Sequence, residues 1–356
     1  MSVKWLKVAG AALNQTPLDW DGNRRRILEA VGEARESGVG LLCLPELCIT
    51  GYGCEDAFHS AATLRMAARV LGEIAPETKG MVVAVGLPLT YRNGVFNAMA
   101  LVVDGAVAGF ACKRYLAGEG IHYEPRWFRP WPTGTRGEIE WGGARLPIGD
   151  WLFDVGGVRV GFEICEDAWV ADRLGAAMAR QGVDVILHPS ASHFAFGKRE
   201  VRRRYILDGS RAFGASFVLA NLLGNEAGRA IYDGGVDIAS GGQMVASGPR
   251  FSFREAVLTS AVIDLDVTRM GQAKAAGYRA DVGAEGVVRV PFQFAGAGPE
   301  GGDGGRPVAA WEGSPSLKEE EFARAVGLGL FDYLRKSRSN GFVVSISGGA
   351  DSAAVS

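Results

Sequence analysis

Short runs of Val, Ile, Leu and Ala recur along the chain, each closed by Gly, Pro, Asn or Asp. This punctuation predicts strands over 8–13, 40–44, 81–87, 98–103, 107–112, 158–164, 184–188, 216–220, 243–246 and 257–263. Between several of them the apolar period changes from two to between three and four. Ile27, Ala30, Val31 and Ala34 share one face of a helix predicted over 21–37, and the same period runs through 60–74, 171–181 and 198–213. Some strands are parted by helices. Others follow directly, as 98–103 and 107–112 do across Asp104-Gly105. That mixture predicts an α/β layered fold, two sheets covered by helices, and not a strictly alternating doubly wound sheet.

The pattern changes near residue 295. Positions 295–306 read AGAGPEGGDGGR, too rich in glycine to fold alone, so a linker is expected. Ser316 and Glu319 predict a capping box. Phe322, Val326, Leu330 and Leu334 then form an apolar stripe, a core or docking face. A short strand is predicted over 342–346, followed by Ser347-Gly348-Gly349-Ala350-Asp351-Ser352. The expected organisation is a first domain over 1–294, a Gly/Pro-rich linker over 295–315, and the cut-off start of a second domain over 316–356.

Composition narrows the classes. Among 356 residues, 38 Lys and Arg face 40 Asp and Glu, a net charge of −2, which speaks against a bulk electrostatic grip on nucleic acid. The cluster Arg202-Arg203-Arg204 is therefore expected to be a solvated face or subunit contact. The apolar run 81–89 is about half of the ~20 residues a membrane span needs. Five cysteines without a CxxC spacing argue against a disulfide frame or zinc site and favour a reducing cytoplasm. His188 and His193, five apart without acidic partners, are expected to be structural, and no metal is predicted.

Three residues stand where a strand ends, the position at which side chains of a layered fold become available for chemistry. Cys165 follows a buried strand and precedes a helix, so helix-terminal amides could stabilise its thiolate; a buried structural cysteine is the alternative. Glu46 follows Leu41–Pro45, where low-dielectric walls would raise its pKa toward that of a general base; a solvated or capping glutamate is the alternative. Lys113 could supply a fixed cation to an oxyanion, or lie on the surface. Sequence separation does not show that the three meet.

The segments PELCITGY (45–52), KRYLAGEGIHYEPRWF (113–128) and GFEICEDAW (161–169) closely resemble the nitrilase, or carbon–nitrogen hydrolase, superfamily. The resemblance implies an α-β-β-α sandwich and a Glu46-Lys113-Cys165 triad, with Glu124 as a second glutamate beside the lysine; pairing with Arg126 is the alternative role for Glu124. SGGADS (347–352) is similar to the pyrophosphate loop of ATP-pyrophosphatases, and its glycines suit a backbone cradle for phosphate. This order of segments resembles the glutamine-dependent NAD synthetase family. It implies glutamine hydrolysis through a cysteine thioester, with ammonia passed to ATP-dependent amidation of deamido-NAD. It also implies glutamine contacts at Glu166, Ser192 and Lys198, where some relatives carry Arg in place of Lys198, and a pyrophosphate loop at Ser347, Gly348, Gly349, Asp351 and Ser352. No cofactor is expected for the hydrolase part, ATP with Mg for the synthetase part, and a homo-oligomer overall. A stand-alone amidase or carbamoylase, and a catalytically silent binding module, are the competing readings.

Overall fold

The computed structural model describes residues 3–226, 228–275, 277–281, 286–298 and 309–356. Eight strands form one sheet in the spatial order Ala256–Asp264, Trp5–Leu13, Leu41–Cys43, Val82–Tyr91, Gly94–Val103, Ala106–Cys112, Ala144–Gly149 and Arg136–Trp141. Seven form a second, in the order Gln243–Ser247, Val236–Ser240, Ser216–Asn221, Val185–Ser190, Val158–Phe162, Leu152–Val155 and Val287–Val290. A two-stranded ribbon, Leu223–Glu226 with Ala230–Asp233, stands apart.

Side-chain alternation along the strands builds the layers. On Trp5–Leu13, the residues Leu6, Val8 and Ala12 join the core between the sheets, where they meet Val218, Val236 and Ile238. Ala9, Ala11 and Leu13 face the other way, into a core completed by Ile27, Ala30 and Val31 of helix Trp20–Glu36 and by Ala67, Val70 and Leu71 of helix Ala61–Ile74. The second sheet is covered in the same manner by Met178 of helix Leu174–Arg180 and Ile206 of helix Lys198–Phe213. This is the expected α-β-β-α sandwich. Gly10 lets the sheets approach, since a Cβ there would lie 2.8 Å from Val236 Cγ1.

Helix Leu317–Ser337 packs on this body. Its buried face is Glu321, Ala325, Leu328, Gly329 and Asp332, one to two positions off the predicted stripe, and Phe322 is 46% exposed. The body offers polar partners as well as apolar ones there, so the two acids go inward. Asp332 accepts both hydrogen bonds from Asn14 Nδ2 (3.0 and 2.9 Å) and one from the Asn225 N–H (2.8 Å). Glu321 accepts from Arg250 (2.8 Å), and Lys336 donates to the carbonyls of Gln15 and Asn225, each at 2.8 Å. Ser316 stands at the N-cap, but its side chain makes no capping bond, so the predicted capping box does not form. Nor is 342–346 a strand: Phe342, Val343 and Ile346 are exposed, and the segment joins no sheet among the described residues. Of the expected linker, 299–308 lie outside the described residues.

Arg202 also departs from expectation. It is buried and donates to Asp233 Oδ2 at 2.6 Å, whereas Arg204 is exposed as predicted. Helix 171–181 begins later, at Leu174.

Asp332→Ala would strand the Asn14 amide and the Asn225 N–H in a buried site. We expect a loss of about 3 kcal/mol in urea unfolding, and a loss below ~0.5 kcal/mol would show that the helix is not docked by these bonds.

Candidate active site

Leu41–Cys43, Val82–Tyr91 and Ala106–Cys112 run in one direction, as do Val158–Phe162, Val185–Ser190 and Ser216–Asn221 in the facing sheet. Their carboxyl ends bring Glu46, Lys113, Cys165 and the segment 190–192 to one edge of the sandwich. Glu46 lies in a tight loop over Gly86. A Cβ at Gly86 would fall on Leu47 N and Pro45 O, and Leu47 itself has a φ of 51°.

Glu46, Lys113 and Glu124 are all fully buried. Lys113 Nζ donates to Glu46 Oε1 (2.6 Å) and to Glu124 Oε1 (2.7 Å). Glu46 also accepts from Asn97 Nδ2 (2.6 Å) and, through Oε2, from the Ala191 N–H (2.9 Å). Glu124 accepts from the Tyr52 hydroxyl (2.7 Å) and the Ala117 N–H (2.9 Å). The alternative role for Glu124 is therefore excluded in this structure, and Arg126 pairs with Asp56 (2.6 Å) instead.

Cys165 opens a short 3-10 turn, Cys165–Ala168, with a φ of 45°. A non-glycine residue at positive φ is uncommon and costs energy, and such residues cluster at functional turns. Asp167 holds the turn down: its carboxylate accepts from the N–H groups of Ile164 (3.0 Å), Arg114 (3.1 Å) and Tyr115 (2.9 Å). The elbow of Cys165 is thus tied directly to the strand end that carries Lys113. Ser190 Oγ donates to Cys165 Sγ at 3.4 Å, and the next residue's N–H holds Glu46.

Burial decides the electrostatics. It pushes Glu46 up to about 7, Lys113 pulls it back, and the Glu124 charge raises it again. Burial and the Glu46 charge push the Cys165 thiol up to about 12, against the pull of Lys113. Burial alone would lower the Lys113 ammonium, but Glu124 and Glu46 outweigh it and hold the group well above its ordinary value. At neutral pH this is a protonated lysine and a neutral thiol beside a glutamate that is divided between its acid and carboxylate forms.

Glu166, next to Cys165, is half-buried, and burial raises its pKa. Lys198 is also half-buried rather than solvated. Its Nζ lies 5.6 Å from the centroid of the Trp169 ring, and burial lowers its pKa while the charges of Cys165 and Glu166 raise it. Ser192 is buried with its hydroxyl 3.4 Å from Arg202, so its side chain is committed to the Arg202–Asp233 pair. His193 belongs to a hydrogen-bonded run of side chains. It lies 2.8 Å from His122, whose other nitrogen is 3.0 Å from the Tyr52 hydroxyl. His188 is buried, and neither ring nitrogen has a hydrogen-bond partner among the described residues. No group of three or more His, Cys, Asp or Glu among the described residues could hold a metal ion.

The Ser347–Ser352 loop is separate and exposed. Ser347, Gly348 (φ 80°) and Gly349 lead into the short helix Ala350–Val355, which holds Asp351 and Ser352. Ser352 Oγ accepts from the Ser347 N–H at 3.2 Å.

Residues 7–277 match the family model for carbon-nitrogen hydrolase. The chain belongs to the carbon–nitrogen hydrolase family. Among curated relatives, it is 33% identical to the glutamine-dependent NAD(+) synthetase of Mus musculus and 32% identical to that of Homo sapiens. Each alignment covers 98% of this chain, and the relatives are covered to 49% and 51%. The chain thus spans about half the length of these relatives. Among solved structures, a glutamine-dependent NAD(+) synthetase from Cytophaga hutchinsonii superposes with a TM-score of 0.78 at 40% identity, over 98% of this chain and 50% of that one. An amidase from Nesterenkonia sp. superposes with a TM-score of 0.59 at 21% identity, over 76% of this chain and 94% of its own. That second likeness shows the shared fold. No helix among the described residues is long and apolar enough to cross a membrane.

Only the ionised form of Glu46 can take a proton, so the reactivity of Cys165 should rise with pH and level off above about 7. We expect this plateau in the rate of iodoacetamide labelling of Cys165, followed by peptide mass spectrometry. In Glu46→Gln the rate should be lower and should climb roughly tenfold per pH unit with no plateau, as for an unassisted thiol. Identical pH profiles in the two proteins would remove Glu46 as the base.

Proposed function

We propose that this chain is the glutamine-hydrolysing part of a glutamine-dependent NAD synthetase. The observation that carries this reading is the reach of the similarity. Likeness to the synthetases extends over 98% of the chain, and so past the hydrolase domain through helix Leu317–Ser337, whereas likeness to the amidase covers 76%. A simple amidase accounts for the sandwich but not for the remainder.

The buried Glu46–Lys113 pair and the Cys165 turn support the following chemistry. Glu46 takes the proton of Cys165 as the sulfur attacks the side-chain amide carbon of glutamine. The oxyanion is met by Lys113 Nζ and a backbone N–H of the Cys165–Ala168 turn. The tetrahedral intermediate collapses with a proton returned from Glu46 to the nitrogen, and ammonia leaves. Glu46 then removes a proton from water, which attacks the thioester and releases glutamate. Glu124, itself held by the Tyr52 hydroxyl, holds Lys113 throughout. At the other end of the substrate, Glu166 faces the α-ammonium and Lys198 the α-carboxylate. Ser192 contributes through the buried backbone it fixes beside Ala191.

In the synthetase family the ammonia displaces AMP from adenylated deamido-NAD. The Ser347–Ser352 loop carries small residues, hydroxyls and an exposed backbone, a donor set that fits a pyrophosphate of ATP. Mg would accompany that nucleotide. Glutamine, ATP and deamido-NAD are then the substrates of the whole enzyme, which we expect to work as a homo-oligomer in the cytoplasm.

Ammonia release from glutamine tests the reading. It should fall by at least ~10³-fold in Cys165→Ala, and glutamine should be preferred over simple aliphatic amides. Preference for another amide would support a stand-alone amidase. Supplying the full-length protein with ATP, deamido-NAD and glutamine should yield NAD.

A further inference from the structure

A chain of four side chains runs from Lys198 to the buried carboxylate of Glu124, and its hydrogen atoms can be assigned. Tyr52 has one hydroxyl proton, which it gives to Glu124 Oε1 (2.7 Å). His122 Nδ1, 3.0 Å from the same oxygen, must therefore be the donor. Burial and the charge of His193 push His122 down to about 3, so the ring is neutral at pH 7 and its Nε2 is bare. That nitrogen accepts from His193 Nδ1 at 2.8 Å. Burial and Lys198 push His193 down to about 4, which leaves His193 Nε2 bare in turn. Lys198 Nζ lies 3.1 Å from Nδ1 and 3.4 Å from Nε2, and with Nδ1 committed as a donor, Nε2 is the nitrogen that can accept from the ammonium.

We propose that His193, braced by His122, is a positioning residue that fixes the Lys198 ammonium for the α-carboxylate of the substrate. This rests on the glutamine reading above. Lys198 opens its helix directly after Gly197, which has a φ of 71°, and carries a single charge on a flexible stem. A guanidinium would present a rigid fork; an ammonium must be held. The Trp169 ring centroid lies 5.6 Å from it and His193 is within hydrogen-bond reach, and an ammonium so held keeps donors for a carboxylate. The same path ends on the carboxylate that orients Lys113. One run of hydrogen bonds therefore fixes the distance between the cation for the oxyanion and the cation for the far end of glutamine.

The test compares two alkylating reagents on this chain, with labelling of Cys165 followed by mass spectrometry. One is a diazoketone analogue of glutamine, which carries the α-ammonium and α-carboxylate. The other is iodoacetamide, which carries neither. His193→Ala should weaken half-saturation by the analogue about tenfold, with its limiting rate and the iodoacetamide rate changed much less. His193→Gln places a carbonyl oxygen near the lost Nε2 and should recover most of the affinity. His122→Phe, which unties the brace, should act in the same direction by about threefold. Equal slowing of both reagents, no effect on the analogue, or no recovery in His193→Gln would overturn the role of His193 while leaving the glutamine reading intact. A wild-type protein that shows no saturation by the analogue and no advantage over iodoacetamide would overturn both.

Discussion

Everything at the catalytic edge depends on one buried ammonium between two carboxylates. An isolated Lys113 would lose its proton in such a site, and an isolated pair of glutamates could not both ionise. Together they are stable because Asn97, Tyr52 and the amides of Ala117 and Ala191 satisfy the remaining oxygen lone pairs. Those partners come from the facing sheet as well as the near one. The cluster is therefore also a clamp across the two sheets, and the sandwich cannot slide without breaking it.

With Glu46 ionised, the cluster sets two carboxylates against one ammonium. In the proposed mechanism, moving the Cys165 proton to Glu46 transfers that negative charge to sulfur without adding to it. No new ion is taken out of water, which is the costly step in a dry site. Lys113 faces negative charge before and after the transfer. Glu124 keeps the lysine protonated as Glu46 is neutralised, and this gives the second glutamate a purpose beyond structure.

Much of this was legible in sequence because strand ends are marked by punctuation. Pro45 after Leu41–Leu44, and Glu166-Asp167 after Ile164, announce where side chains leave the sheet. All ten predicted strand runs overlap strands of the sandwich. The hairpin Arg136–Trp141 with Ala144–Gly149 was not predicted: its residues include Arg136, Glu138, Glu140 and Arg145, which suit an exposed edge and mask the period. Asn97, Tyr52 and Ser190 were missed for a different reason. Each sits inside or beside an apolar run with no local pattern to mark it, and only the pairing of distant strands gives it a partner. Asp167 was visible within CEDAW, but its three amide partners come from two segments about 50 residues apart.

The stripe on helix Leu317–Ser337 shows where periodicity misleads. Phe322, Val326, Leu330 and Leu334 are the more apolar set, yet the buried face carries Glu321 and Asp332. A hydrophobic pattern assumes an apolar partner, and here the partner surface presents the ends of Asn14, Asn225 and Arg250. Acids at matched spacing win because each finds a donor, and breaking such a pair costs more than leaving a Phe half in solvent. The helix lies beyond the residues matched by the hydrolase family, but it is bonded to Gln15 and Asn225 of the hydrolase body. Asn225 adjoins Glu226, whose Oε1 accepts from the Tyr52 N–H at 2.6 Å, and Tyr52 in turn holds Glu124. The helix that leads toward SGGADS is thus three residues' contacts away from the lysine clamp, and the hydrolase site is built on a support that its own family domain does not contain.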